Sequence, residues 1–230
     1  MKTPLIFGHR GSSIREPENT MRAFQAAFQE EADGVEFDVR RTKDRKIVII
    51  HDATISRTSN GKGQVNKYAY SELLEYDFGK GEKLPLLEDV LKKYGNKYWL
   101  NIEIKESGFE KELVELLRGL TITEKIVISS FKLSVLKAIS KLTSEIPLAF
   151  LYDEPRNNFE KLQKLKISSI HPGQLQVNKQ LMQVANKADL KVRVWTVDKI
   201  KEAKRLAELN VDGIITNDPK GIIQAVRTKK

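Results

Sequence analysis

Cysteine is absent from this 230-residue chain, which removes disulfides, cysteine nucleophiles and zinc held by sulfur from consideration. No run of about eighteen apolar residues occurs, so no segment has the composition of a membrane-spanning helix. The apolar run nearest the start, Leu5-Ile6-Phe7, is too short for a secretion signal. A soluble, cytoplasmic protein without stable membrane insertion is the expectation. Aromatic residues make up only 7%, and no basic stripe is interleaved with them, so the stacking platform of a single-strand binder is missing. The net charge is nevertheless +9, from 40 Lys and Arg against 31 Asp and Glu. These lysines are scattered over helix faces, as at Lys161, Lys164 and Lys166, or lie in a Lys229-Lys230 tail, which is the pattern of solvated surfaces. Charge alone motivates a nucleic-acid reading, and no nucleic-acid partner is expected.

What is present is a regular alternation. Short apolar runs over residues 5–9, 34–39, 98–104, 126–130, 147–151, 167–171, 191–196 and 212–216 read as strands. Amphipathic stretches near 19–32, 86–94, 109–119, 132–142, 157–165, 178–188, 199–209 and 219–227 read as helices. Eight βα units with Val- and Ile-rich strands predict an α/β fold, a single TIM-type (β/α)8 barrel, at a length ordinary for one such domain. Residues 1–230 are thus expected to form one catalytic barrel domain, with a short insertion after the second strand at about 52–85. That Gly- and Ser-containing excursion is longer than an ordinary βα loop and can cover the barrel mouth. Asn19 or Thr20 is expected to cap the first helix, and Asp218-Pro219 to start the last.

Ionisable residues sit where strands are expected to end: His9 and Arg10, Glu36 and Asp38, Glu103 and Lys105, and His51 closing Val48-Ile49-Ile50-His51. Period two puts Glu36 and Asp38 on one face of a strand, and likewise Glu103 and Lys105. Carboxylates gathered that closely take up protons unless a cation sits among them. Glu36, Asp38 and Glu103 offer oxygen ligands suited to one divalent cation, Mg²⁺ or Ca²⁺. Two imidazoles beside it suit phosphodiester chemistry, with one deprotonating the attacking hydroxyl and the other protonating the departing alkoxide. Arg10 can clamp phosphoryl oxygens and Lys105 can stand beside them as a point charge.

At these residues the chain resembles the glycerophosphodiester phosphodiesterase family. The likeness runs in order through His9-Arg10-Gly11, Pro17-Glu18-Asn19-Thr20, Asp33 to Val39, Ile50-His51-Asp52, Arg57-Thr58 with Gly61 and Gly63, Leu100 to Lys105, Ser129-Ser130-Phe131, Val194 to Val197, and Asp212 to Pro219. It implies a TIM-type barrel that hydrolyses glycerophosphodiesters, a small-molecule substrate, to an alcohol and sn-glycerol 3-phosphate with a divalent metal. Carried over by position, it implies His9 and His51 in acid–base catalysis, Glu36, Asp38 and Glu103 at the metal, and Arg10 and Lys105 at the phosphate. Asp198 stands where the family often has asparagine. Glu18 is open to two readings, a partner for Arg10 at the substrate pocket or a helix-start residue. Trp195 can pack against substrate or close the core, and His171 is expected to be a structural or rim residue. Both direct attack by water and attack by the glycerol hydroxyl through a cyclic phosphate are compatible with these residues. Two other functions are open: a related barrel phospholipase acting on lysophospholipids, for which an apolar lip in residues 52–85, hinted at by Tyr68-Ala69-Tyr70, would speak, and a non-catalytic phosphate-binding barrel.

Overall fold

The computed structural model describes residues 2–122, 124–156 and 159–227. The Lys229-Lys230 tail and positions 157 and 158 of the helix expected at 157–165 lie outside them. Among the described residues, eight parallel strands close into a ring: β1 (Leu5–His9), β2 (Gly34–Arg41), β4 (Trp99–Ile104), β5 (Ile126–Ser130), β6 (Leu148–Tyr152), β7 (Ser169–Pro172), β8 (Lys191–Val194) and β9 (Gly213–Thr216). Pairing of β1 with both β9 and β2 shuts the barrel. A ninth strand, β3 (Ile47–Ile49), runs antiparallel to β2 outside the ring. The expected run Val48 to His51 therefore ends as a strand at Ile49, and His51 lies beyond it, at the start of the excursion.

Each ring strand is followed, at once or after the excursion, by a helix that covers it. These are α1 (Met21–Gln29), α3 (Leu87–Tyr94), α4 (Glu110–Gly119), α5 (Leu133–Leu142), α6 (Glu160–Lys164), α7 (Lys179–Lys187), α8 (Ile200–Glu208) and α9 (Pro219–Arg227). Thr20 is the cap of α1, its hydroxyl accepting from the Ala23 N–H at 3.2 Å. Asp218 accepts from the Gly221 N–H at the head of α9. Phe24, Phe37, Leu87, Ile102 and Leu136 belong to the apolar layer between strands and helices, all fully buried.

The excursion has a core of its own, in which Val48, Ile50, Ile55, Val65, Leu73, Phe78 and Leu84 are buried together around a short helix α2 (Tyr70–Leu73). Tyr68 packs edge-on against Tyr76, and its hydroxyl donates to the Lys62 carbonyl, while the Tyr70 hydroxyl donates to Leu84. Both tyrosines are spent on internal packing and form no lip.

Inside the barrel, below the mouth, the lining is polar. The buried Arg193 guanidinium lies over the rings of Phe7 and Trp99 and donates to the Ser169 hydroxyl. His171 is completely buried, between Ser169 (3.3 Å) and Asn101 (3.5 Å), so it is a core residue and not a rim one. Burial, reinforced by Arg193, pushes its pKa well below the ordinary 6.5. At the floor, Gly34 leaves no room for a side chain, because a Cβ there would lie 2.3 Å from the Trp99 carbonyl oxygen.

Two outcomes follow for stability. Gly34→Ala is expected to destabilise the protein by about 1–3 kcal/mol, read from the urea midpoint, because the obstacle is backbone. For His171, the unfolded chain binds a proton below about pH 6.5 that the folded protein refuses, so its contribution to stability falls as pH drops through that value, by up to about 1.4 kcal/mol per pH unit. The buried carboxyls Glu36 and Glu103 have raised pKa values and the opposite sign. The comparison to make is therefore wild type against His171→Gln, whose difference in unfolding free energy is expected to shrink toward acid pH.

Candidate active site

Strand register brings the expected residues together. His9 is the Cα partner of Glu36, and Asp38 is the partner of Glu103, so adjacent parallel strands present these side chains at the C-terminal end of the barrel, the end where such folds carry their sites. The nearest carboxylate oxygens of Glu36, Asp38 and Glu103 lie within 4.8 Å of one another, and all three residues are buried. Lys105 Nζ donates to Glu103 Oε1 at 2.6 Å and stands 3.4 Å from Asp38 Oδ1, while Arg10 Nε stands 3.3 Å from Asp38 Oδ2.

Burial, followed by repulsion from Asp38 and Glu103, raises the pKa of Glu36 well above the carboxylate range. Glu103 is pushed up to about 7 by burial and Asp38, against the pull of Lys105. Three carboxylates against the two cations Arg10 and Lys105 leave a formal charge of −1. A divalent cation among the oxygens turns that into +1, opposite to the single negative charge of a phosphodiester. The all-oxygen donor set, the spacing and the raised pKa values of Glu36 and Glu103 fit such an ion.

The chain reaches this geometry through a tight β1–α1 loop. Arg10 adopts φ +57° and Asn19 φ +58°, conformations that cost a non-glycine residue energy. In return the Arg10 N–H donates to the Glu36 carbonyl at 2.7 Å, and the Asn19 side chain donates to Asp38 Oδ2 at 2.9 Å. Gly11, at φ +89°, sits against the Ala23 backbone where a Cβ would collide at 2.6 Å.

Each imidazole is held from behind through Nδ1, leaving Nε2 for the cavity. His9 Nδ1 lies 2.8 Å from Asn217 Oδ1, which also accepts from the Ser13 hydroxyl. The orientation of that amide is set by Asp198, which accepts from Asn217 Nδ2 at 2.7 Å, from the Asn217 N–H at 2.8 Å and from the Thr216 hydroxyl. With its oxygen so directed, Asn217 assigns the His9 proton to Nδ1. His51 Nδ1 lies 2.6 Å from Asp52 Oδ1. Arg57 binds Asp52 and reaches Glu18 with two further hydrogen bonds, and Glu18 in turn accepts from Arg10. A chain of alternating charge thus runs His51, Asp52, Arg57, Glu18, Arg10, Asp38 and ties the excursion to the barrel. Burial lowers the pKa of both imidazoles, outweighing Asn217 and Asp38 at His9, and Asp38 and Asp52 at His51. Burial opposes ionisation of Glu18, but Arg57 and Arg10 overcome it and hold the carboxyl down to about 2. Glu18 is therefore an ion-pair partner and not a helix-start residue.

These groups form one side of a cavity of about 230 Å³, in which His9, Arg10, Glu36, His51, Glu103 and Lys105 face Phe131, Leu151, Trp195 and Ile215. Trp195 follows the last residue of β8, meets Phe131 edge-on at 5.4 Å and donates its indole N–H to the His171 carbonyl. All seven expected residues converge, with Glu18 and Trp195 beside them. Sequence reasoning assigned no role to Asp52, Arg57, Asn217 or Phe131, although each lies in a quoted motif, and none to Asp198. The usable signals were the Asp52 adjoining His51 and the polar pair Asn217-Asp218 ending the last strand.

Comparison with known proteins finds relatives along nearly the whole chain. A profile described as the glycerophosphoryl diester phosphodiesterase family matches residues 9–221. A glycerophosphodiester phosphodiesterase of Caldanaerobacter subterraneus is 36% identical, covering 99% of both chains. The structure of an Oleispira antarctica phosphodiesterase in complex with the product sn-glycerol-3-phosphate superposes with a TM-score of 0.90 at 29% identity, covering 98% of each chain. A glycerophosphodiester phosphodiesterase from Agrobacterium tumefaciens gives a TM-score of 0.88 at 26% identity, over 97% of this chain and 100% of that one.

The amide lock behind His9 is open to a direct check. In Asp198→Ala the Asn217 side chain is free to rotate, and ¹⁵N NMR of the His9 ring is expected to change from a dominant Nδ1–H tautomer to a mixture. The His51 signals, held by Asp52, are expected to stay in place.

Proposed function

The chain belongs to the glycerophosphoryl diester phosphodiesterase family, and from that premise we propose that residues 1–230 act as one catalytic unit hydrolysing glycerophosphodiesters to an alcohol and sn-glycerol 3-phosphate. One observation carries the reading: two imidazoles backed through Nδ1, the buried carboxylates Glu36 and Glu103 and two cationic side chains line one cavity, with the buried Asp38 carboxylate within 4.8 Å of the other two. Glu36, Asp38 and Glu103 would hold one divalent cation, Mg²⁺ or Ca²⁺. When bound, that ion supplies positive charge against the negative charge building on the phosphoryl oxygens.

The remaining chemistry belongs to the side chains. Arg10 and Lys105 bind phosphoryl oxygens and stabilise the pentacoordinate transition state electrostatically. His9, neutral and backed by an uncharged amide beside the Arg10 cation, takes the proton of the attacking hydroxyl. His51 has the Asp52 carboxylate behind it, which stabilises an imidazolium, so it holds the proton delivered to the departing alkoxide. The proton gained at one ring and lost at the other balances over the reaction. Phe131 and Trp195 give the carbon skeleton of the substrate an apolar wall that excludes water from the polar side.

His9→Ala and His51→Ala are each expected to lower kcat toward glycerophosphocholine by about 10²- to 10⁴-fold, with the thermal midpoint near that of wild type. Adding Mg²⁺ or Ca²⁺ to chelator-treated protein is expected to raise the midpoint, and Glu103→Gln is expected to abolish the rise. Undiminished hydrolysis after exhaustive chelation, or wild-type turnover in either histidine variant, would overturn the mechanism.

A further inference from the structure

Six large hydrophobic side chains are conspicuously exposed among the described residues, and the four most exposed share one face. Leu175 is 90% exposed, Ile14 61%, Ile200 52% and Phe131 44%. Leu175 lies in the β7–α7 loop, Ile14 in the β1–α1 loop, Ile200 at the head of α8 and Phe131 directly after β5. All are βα connections and therefore surround the cavity mouth. In ring order their strands fall on the continuous arc β5-β6-β7-β8-β9-β1, away from the β2–β3 side where the excursion begins. The excursion was the segment in which an apolar lip was expected. Phe131, Leu175 and Ile200 lie away from it, and Ile14 lies on the β1–α1 loop that it touches through Lys80 and the Arg15 carbonyl.

Interspersed with these tips are exposed lysines at the same end of the barrel: Lys132, Lys179, Lys199, Lys201 and Lys220. None enters an ion pair among the described residues. Acidic groups on this arc are largely engaged, Asp198 by Thr216 and Asn217, Asp218 by Arg15, and Glu202 by Arg205. Asp153 and Glu154 remain, next to Arg156. Apolar tips on separate loops, set among unpaired cations, do not form a groove with a fixed shape for a protein partner. They suit a fluid surface into which each tip can sink independently while lysines meet anionic headgroups, the two signals that peripheral binding requires.

We propose that this arc is a docking surface for an anionic lipid bilayer, on which the protein sits peripherally with its cavity mouth toward the headgroups. Binding is read separately from hydrolysis, so the proposal stands or falls independently of the catalytic reading. The test is cosedimentation of the full chain with vesicles of phosphatidylcholine alone or of phosphatidylcholine and phosphatidylglycerol in equal parts. Preferential binding to the mixed vesicles, weakened by salt, is expected. Leu175→Glu with Ile200→Glu is expected to reduce the partition coefficient by about tenfold or more, while turnover of soluble glycerophosphocholine stays within about twofold. Lys199→Glu with Lys201→Glu is expected to weaken binding to the mixed vesicles only. Leu142→Glu, at the far end of α5, is the control expected to change nothing. No binding to the mixed vesicles, equal binding by the Leu175/Ile200 variant, or an equal loss in the Leu142 control would overturn the proposal.

Discussion

Three carboxylates buried within 4.8 Å of one another are the constraint around which the mouth of this barrel is organised. In water such a cluster disperses. Here parallel strand pairing fixes Asp38 opposite Glu103, and the side chains cannot separate without breaking the ladder. The fold meets the resulting repulsion with cations in contact, Arg10 and Lys105. Two positive charges against three negative ones leave the balance incomplete, and the raised pKa values of Glu36 and Glu103 express that deficit. A buried ion set of this kind contributes little net stability, since desolvation consumes most of the Coulomb gain. Its presence is explained by what a deficit of positive charge can bind.

Positioning of the two imidazoles follows from the same electrostatics at one remove. Arg10 touches the carboxylate cluster and Glu18 together, and Glu18 shares Arg57 with Asp52. The partner of His51 is therefore connected, through alternating charges, to the groups that face the phosphate. His9 is held differently, by a neutral amide whose orientation is dictated by Asp198. An aspartate at this position accepts from the Asn217 backbone and side chain and from Thr216 at once, which an asparagine, with one oxygen, cannot match. Asp198 thus fixes the amide that holds His9.

The barrel and the carboxylates were legible in the sequence because both depend on period. Val35-Glu36-Phe37-Asp38-Val39 alternates, the strand is straight, and two acids two residues apart must share a face. What supports the histidines was not legible, since Asp52, Arg57 and Asn217 act from irregular backbone, where no period constrains direction. His51 illustrates the limit. It was expected at the end of a strand, yet the strand stops at Ile49 and His51 reaches the cavity from the excursion. His171 was expected to be a structural or rim residue, and the sequence left those two open for another reason. In a closed barrel both faces of a strand are buried, so a polar residue in β7 or β8 reports neither solvent nor site, and only its neighbours Asn101, Ser169 and Arg193 reveal an internal polar layer.

The two sides of the mouth divide the burden of charge and apolar surface between them. Where the excursion meets the β1–α1 loop, cations are consumed internally, with Arg57 on Glu18 and Asp52, and Lys80 and Arg22 on Glu16. Its tyrosines face its own small core. That side holds His51 through Asp52 and Arg57, whereas His9 is held from the β8 and β9 ends by Asp198 and Asn217. Across the cavity, Phe131 and Trp195 form the apolar wall, and Phe131 continues outward as one of the exposed tips on the loops beyond. His51 is thus cross-linked by ion pairs on one side, whereas the other combines the amide that holds His9 with apolar surface whose position matters less. Rigidity where protons move and apolar contact where carbon must be held are opposite demands, and a barrel whose mouth is built from separate loops can meet both because each loop is anchored to its own strand.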